Sequence, residues 1–256
     1  KAHSTWPDQY LRTGEVAPAQ GLIMDFGIND SEAVMKDPAK SAAQYFADAL
    51  TARGIPATLG ERKVAGDTAS VLTSIKSATV TDIVERMITT SNNTMAEFLA
   101  HHIGGANGEY TYEAGAKATT EALTAAQIDL TGVTILDGSG LSRSNQASAK
   151  SLVSALSYAS KTDGSAWTNL SGLPVAGISG TLVDRYDVGE PGRGTVRAKT
   201  GTLSKVVALS GTLVDASGDV LIFTFIANKV PSGTKQGEAA LDEVVKALVQ
   251  CGCRTP

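Results

Sequence analysis

Cysteine is nearly absent: the chain has two, Cys251 and Cys253, both in its last six residues. That is too few and too terminal for a disulfide scaffold, so the fold must be held by a hydrophobic core. A bridge between positions i and i+2 is strained, so each is expected to pair elsewhere or stay free. Histidine is scarce too, with His3 at the amino-terminal end and His101 and His102 adjacent on a helical stretch, about 100° apart around its axis. Neither a histidine-based mechanism nor a metal site is read from them, and no cofactor is expected. Lys/Arg runs are missing and the net charge is −4, which argues against nucleic acid or an anionic membrane surface as the main partner. The longest apolar run, residues 220–227, is interrupted by Thr224 and is far too short to span a bilayer, so no membrane span is expected in this chain. The chain also opens without methionine or a charged-then-apolar leader, and its beginning reads as a cut.

What is present is an ordinary globular composition, 42% hydrophobic and 19% charged, enough for one large domain or two smaller ones. Asp37-Pro38, apolar residues at Ala42, Tyr45, Phe46, Ala49 and Leu50, and Gly54 predict a capped, proline-started, glycine-stopped amphipathic helix. Before it, residues 15–26 alternate loosely and read as strand; after it, residues 60–66 read as a polar connection. Ile83, Val84, Met87 and Ile88 mark one helix, and Met95, Phe98, Leu99 and His102 the next. Two more helices are expected over residues 112–126 and 148–160. The end reads as a β-meander, residues 195–202, 206–215 and 220–228, then a helix over 237–250.

Two short elements carry chemistry. Ser91-Asn92-Asn93 falls in the helix-helix turn, where a hydroxyl and an amide could pass a proton and hold a carbonyl. Asn93 could equally be only the N-cap of the second helix. About a hundred residues on, Arg197-Ala198-Lys199-Thr200-Gly201-Thr202-Leu203 sets a cation beside hydroxyls on a strand, and its glycine removes the side chain that would obstruct a peptide lying along it. Either tripeptide alone is a weak signal; together, in this order, they are much stronger.

With Asp137-Gly138-Ser139-Gly140-Leu141-Ser142-Arg143, Leu173-Pro174-Val175-Ala176-Gly177 and Gly180-Thr181-Leu182 in the same order and spacing, the chain resembles the C-terminal part of the large, insert-bearing penicillin-binding D-Ala-D-Ala carboxypeptidases, peptidase family S13. The resemblance runs from about Trp6 to Lys229. It implies an α+β, penicillin-binding/serine β-lactamase-like fold: an antiparallel sheet flanked by helices, plus an all-α subdomain. Residues 1–64 would end an inserted accessory domain, and residues 65–256 would form most of the catalytic domain without its opening strands and nucleophile helix. It further implies a serine-type carboxypeptidase of the cell envelope, outside the cytoplasm, that forms an acyl-serine on peptidoglycan stem peptides and binds β-lactams.

Carried over residue by residue, Lys199 would recruit the terminal carboxylate, Ser91 would relay a proton, and Asn93 would orient the substrate amide. Thr200 and Thr202 would bind the carboxylate, with Gly201 and Leu203 completing the strand that the substrate follows. The Thr202 N–H would form half of an oxyanion hole, and Arg143 would meet the acidic end of the stem-peptide side chain. The family's Ser-x-x-Lys nucleophile is missing. Only Ser232-Gly233-Thr234-Lys235 has the spacing, and it lies after Lys-Thr-Gly in a Pro/Gly loop, where capping the last helix is its expected job. The nucleophile is therefore expected on a missing or separate N-terminal chain, without which this one should not fold stably. A DD-endopeptidase using the same residues and a non-catalytic binding module retaining the cleft are the alternatives.

Overall fold

The computed structural model describes residues 2–252 except 30, 32, 65, 67, 162–164 and 232. The chain divides into two compact units, Lys1–Thr79 and Val80–Pro256.

In the first unit, a short helix α1 (Gln9–Thr13) stops at Gly14 in left-handed conformation. His3 is buried, its Nδ1 is 2.8 Å from the Thr5 hydroxyl, and its ring lies near Trp6. Residues 15–26, expected as strand, form no strand; Pro18 and Gly21 interrupt the alternation, and the segment ends in a 3-10 turn, Asp25–Gly27. Helix α2 (Pro38–Thr51) forms as expected, with Asp37 accepting from the Lys40 N–H and proline at its start. The following segment to Thr79 lacks regular structure among its described residues and is largely exposed.

The second unit opens with α3 (Val80–Thr90) and α4 (Asn93–Gly105), then α5 (Tyr112–Ala125), capped by the Thr111 hydroxyl. Helices α4 and α5 touch through small residues: a Cβ on Gly115 would lie 2.6 Å from the Ala100 carbonyl. Helix α6 (Ala149–Lys161) and the short α7 (Thr168–Ser171) follow, and Ile88, Ala159, Leu170 and Leu173 form a core shared by α3, α6 and α7.

The meander is as expected, in antiparallel order β1-β2-β3: β1 (Arg197–Leu203), β2 (Val206–Val214) and β3 (Val220–Asn228). Helix α8 (Thr234–Gln250) covers one face. On that face Ala198, Leu209, Leu213 and Phe223 are buried with Val245, Leu241 and Leu248 of α8. Alternation puts Lys199, Ser210 and Thr224, paired across the three strands, on the opposite and less buried face. The expected cap of α8, Ser232, lies outside the described residues, and Gly233 holds the N-cap position. Cys251, at the C-cap, is disulfide-bonded and so does not stay free; in extended conformation there, it has left the helix, and Cys253 lies outside the described residues.

Close approach of β1 to β2 requires Gly211, where a Cβ would sit 2.0 Å from the Arg197 carbonyl oxygen and 2.6 Å from Ala198 Cα. Gly211→Ala should therefore push the two strands apart and cost about 3 kcal/mol of stability, read as a lowered urea midpoint with an unchanged slope.

Candidate active site

The chain reverses between α3 and α4 in two residues. Ser91 takes the left-handed conformation, φ 54°, which a residue with a Cβ adopts at a cost of about 1–2 kcal/mol. Asn92 is extended, and its side chain accepts from the Met95 N–H at 2.9 Å. The cap is thus Asn92, and Asn93, offered as a cap by the sequence alone, is the first residue of α4.

Lys199 projects from β1 to this joint. Its Nζ donates to Ser91 Oγ at 2.6 Å and to the Thr200 carbonyl at 2.8 Å. Burial disfavours the ammonium and lowers its pKa to about 8. The site therefore holds a cation that is mostly charged at neutral pH and releases its proton far more readily than an exposed lysine.

The outer edge of β1 is divided. At its start, Ala176 N–H donates to the Val196 carbonyl and Ala198 N–H to the Pro174 carbonyl. Since N–H groups alternate in direction along a strand, those of Thr200 and Thr202 face the same outer side as that of Ala198, past the point where the bridge stops. Gly201 lies on the Lys199 face, where an added Cβ would meet only Ala208 Cβ at 3.4 Å, so its missing side chain leaves that face clear. Leu203 ends the strand, half-buried.

The threonine hydroxyls point to the α8 face. Thr200 donates to the Thr181 hydroxyl at 3.0 Å, in the 3-10 turn Gly180–Leu182. Thr202 donates to the Glu238 carboxylate of α8 at 2.6 Å. Glu238 is a like charge beside a hydroxyl expected to receive a carboxylate, which leaves Thr200 the better placed of the two. Arg143 is exposed and donates from Nη2 to the Ser204 carbonyl, 3.1 Å away at the turn after β1. Its loop is closed by Asp137, which accepts from the N–H groups of Gly140 and Ser142 and from the Asn145 amide. Hence Ser91, Lys199 and Thr200 form one connected group, and Arg143 reaches the far end of the same strand.

The arrangement supplies a proton-carrying cation and hydroxyl, and an open strand edge with donors along it, which suits an extended peptide with an anionic end. The profile of the D-Ala-D-Ala carboxypeptidase 3 (S13) family matches residues 25–249. The chain belongs to that family.

Among the relatives of this S13 chain, carboxypeptidase DacB of Mycolicibacterium smegmatis is 32% identical over 257 residues, covering 97% of the chain and 55% of the relative. The D-alanyl-D-alanine carboxypeptidase of an Actinomadura species is 34% identical over 231 residues, covering 86% of the chain and 42% of the relative. The S13 chain thus spans about half the length of these proteins. Penicillin binding protein 4 of Haemophilus influenzae, solved with a β-lactam, superposes with a TM-score of 0.69 at 24% identity over 83% of the chain and 52% of that protein, a likeness of fold.

Three polar residues of this region went unassigned in the sequence. Thr181 stood within a motif but had no role until the fold brought it to Thr200. Glu238, on α8, carried no signal, being 36 positions from its partner. Glu97 did carry one: a lone carboxylate in the run Met95-Ala96-Glu97-Phe98-Leu99, and it is almost wholly buried.

Lys199 should titrate near pH 8, measurable from its Nζ or Cε NMR shift. Because the folded pKa lies below the unfolded one, Lys199 binds fewer protons folded than unfolded above pH 8, so it favours folding increasingly as pH rises from about 8 towards 10.5 and less as pH falls through 8. Lys199→Met should remove this part of the pH dependence; an unaltered stability-pH curve in the variant would contradict it.

Proposed function

We propose that this chain supplies the proton relay, the carboxylate-recruiting cation and the substrate-guiding strand of a serine-type D-Ala-D-Ala carboxypeptidase that acts on peptidoglycan stem peptides. The observation that carries the reading is the 2.6 Å contact of Lys199 with Ser91 beside the open edge of β1, in a chain of the S13 family. The stem peptide lies along β1, its terminal carboxylate drawn to Lys199 and held by Thr200, with Thr202 contributing its hydroxyl only if Glu238 gives way. Asn93 orients the substrate amide. The nucleophilic serine, the lysine that activates it and the second oxyanion donor belong to a region outside these 256 residues, and the N-terminal half of the same protein, bound as a second chain, is the proposed source. Residues 1–64 are assigned to an accessory domain inserted in the catalytic one, and the site of action is extracytoplasmic. No helix among the described residues is long and apolar enough to cross a membrane.

As the serine oxygen attacks the carbonyl carbon of the scissile bond, the oxyanion that forms takes one hydrogen bond from the Thr202 N–H; when it collapses to the acyl-serine, the C–N bond breaks and Ser91 passes a proton to the leaving D-alanine nitrogen. Ser91 is suited to this because its hydroxyl accepts from Lys199 while retaining its own proton to donate. Cleavage of cross-links would use the same residues on a longer leaving group; the carboxypeptidase reading is preferred for the family.

Ser91→Ala should depress kcat more than it raises KM, since a relay acts in the transition state. Lys199→Ala should slow penicillin acylation by at least about 100-fold, roughly 3 kcal/mol. In the assembled enzyme, intact-mass measurement after penicillin treatment should find the adduct on the accompanying region; a stoichiometric adduct on Ser91 would overturn the assignment.

A further inference from the structure

The search for unexplained polar groups leads to Glu97. It is 1% exposed, on α4, one helical turn after Asn93 and on the same face. Its carboxylate takes both N–H groups of two successive residues: Oε2 from Gly138 at 3.1 Å and Oε1 from Ser139 at 2.7 Å. Burial pushes its pKa up, and those bonds oppose the rise. A carboxylate buried this deeply is costly unless its oxygens are satisfied, so the loop and the helix hold each other in one place. Contact is direct as well: a Cβ on Gly138 would lie 2.5 Å from the Ala96 carbonyl oxygen and 2.7 Å from Ala100 Cβ.

The same loop ends in Arg143, whose guanidinium reaches the Ser204 carbonyl beyond β1. Asp137 closes the stretch between, so a displacement at Gly138 and Ser139 is transmitted to Arg143 and not absorbed. One helix therefore references both the Ser-x-Asn turn at its start and, through Glu97, the arginine across the cleft mouth.

We infer that Glu97 is a positioning residue for substrate selection: its paired hydrogen bonds to Gly138 and Ser139 hold Arg143 at the distance from Ser91 and Lys199 that a stem peptide with a carboxylate-ended side chain spans. This rests on the reading of Arg143 as the receptor of that carboxylate. A glutamine cannot replace the glutamate, because an amide offers one acceptor oxygen and sets its NH2 against the second backbone N–H. Removing the buried charge should leave the fold intact while loosening the loop.

The test uses the enzyme assembled from this chain and the region bearing the nucleophile, and two stem peptides that differ only in whether the side-chain carboxylate is free or amidated. The readout is the ratio of kcat/KM for the two. Arg143→Ala should collapse the ratio, Glu97→Gln should lower it by about tenfold, and the double variant should be no worse than Arg143→Ala alone. Fluorescent penicillin labelling, which lacks that side chain, should change little in Glu97→Gln. Gly138→Ala, which keeps the carboxylate but lifts the loop from α4, should lower the ratio likewise. If Arg143→Ala collapses the ratio while Glu97→Gln and Gly138→Ala slow both peptides equally, Glu97 is structural only and the inference falls, with the Arg143 reading left standing. If Arg143→Ala leaves the ratio unchanged, the reading of Arg143 fails and takes the inference with it.

Discussion

A half-buried ammonium governs the organisation of the second unit. Lys199 is drawn out of water far enough to lower its pKa to about 8, and its two hydrogen bonds, to Ser91 and to the Thr200 carbonyl, are what offset that desolvation. Breaking either would leave a partly buried ammonium short of an acceptor, so β1 is fastened to the α3–α4 joint. The strain at Ser91 belongs to the same account. A left-handed, Cβ-bearing residue persists only where its surroundings fix it, and here Asn92 caps α4 on one side while Lys199 holds the hydroxyl on the other.

That fastening decides which part of β1 is available. The stretch Pro174 to Ala176, whose Ala176 is fully buried, occupies the outer edge at the start of the strand and then departs. Gly211 lets β2 come close on the inner side, so the strand cannot shift inward to relieve its outer edge. What remains is a short row of outward N–H groups at Thr200 and Thr202, flanked by a cation at one end and a guanidinium at the other. An edge of this length is a poor template for aggregation and a good one for a single extended peptide.

Much of this was legible beforehand, for physical reasons that differ by element. The α2 start was written in Asp37-Pro38, and the β-meander in runs of alternating apolar residues split by Ser217-Gly218, since caps and period-2 patterns are local. Lys199 and Ser91 lie in separate motifs linked in the sequence only by their order, and the fold brings Nζ and Oγ to 2.6 Å. Loose alternation misled at residues 15–26, where Pro18 and Gly21 cost the backbone its ladder. The cap of α4 was ambiguous because Asn92 and Asn93 are chemically identical, and only the helix start separates them. Long-range pairs such as Thr202 with Glu238, or Glu97 with the Gly138 and Ser139 N–H groups, carry no periodic signal at all, because they exist only once the tertiary fold does.

The inventory of the site has a direction to it. Lys199, Arg143 and the Thr202 N–H are donors or cations, and the carboxylate of Glu238 beside β1 is held by a threonine hydroxyl. Such a set stabilises negative charge and guides an anionic ligand, yet it contains no strong base placed to strip a proton from a nucleophile, because Lys199 is largely protonated at neutral pH and already shares a hydrogen bond with Ser91. In the proposed reading, attack and stabilisation are thus divided between two regions. The division explains why the cation must be held so firmly: an oxyanion formed by a nucleophile on another segment is stabilised only if the donors on this chain are fixed before the two meet, and the Lys199–Ser91 contact together with the Glu97-held loop is what fixes them.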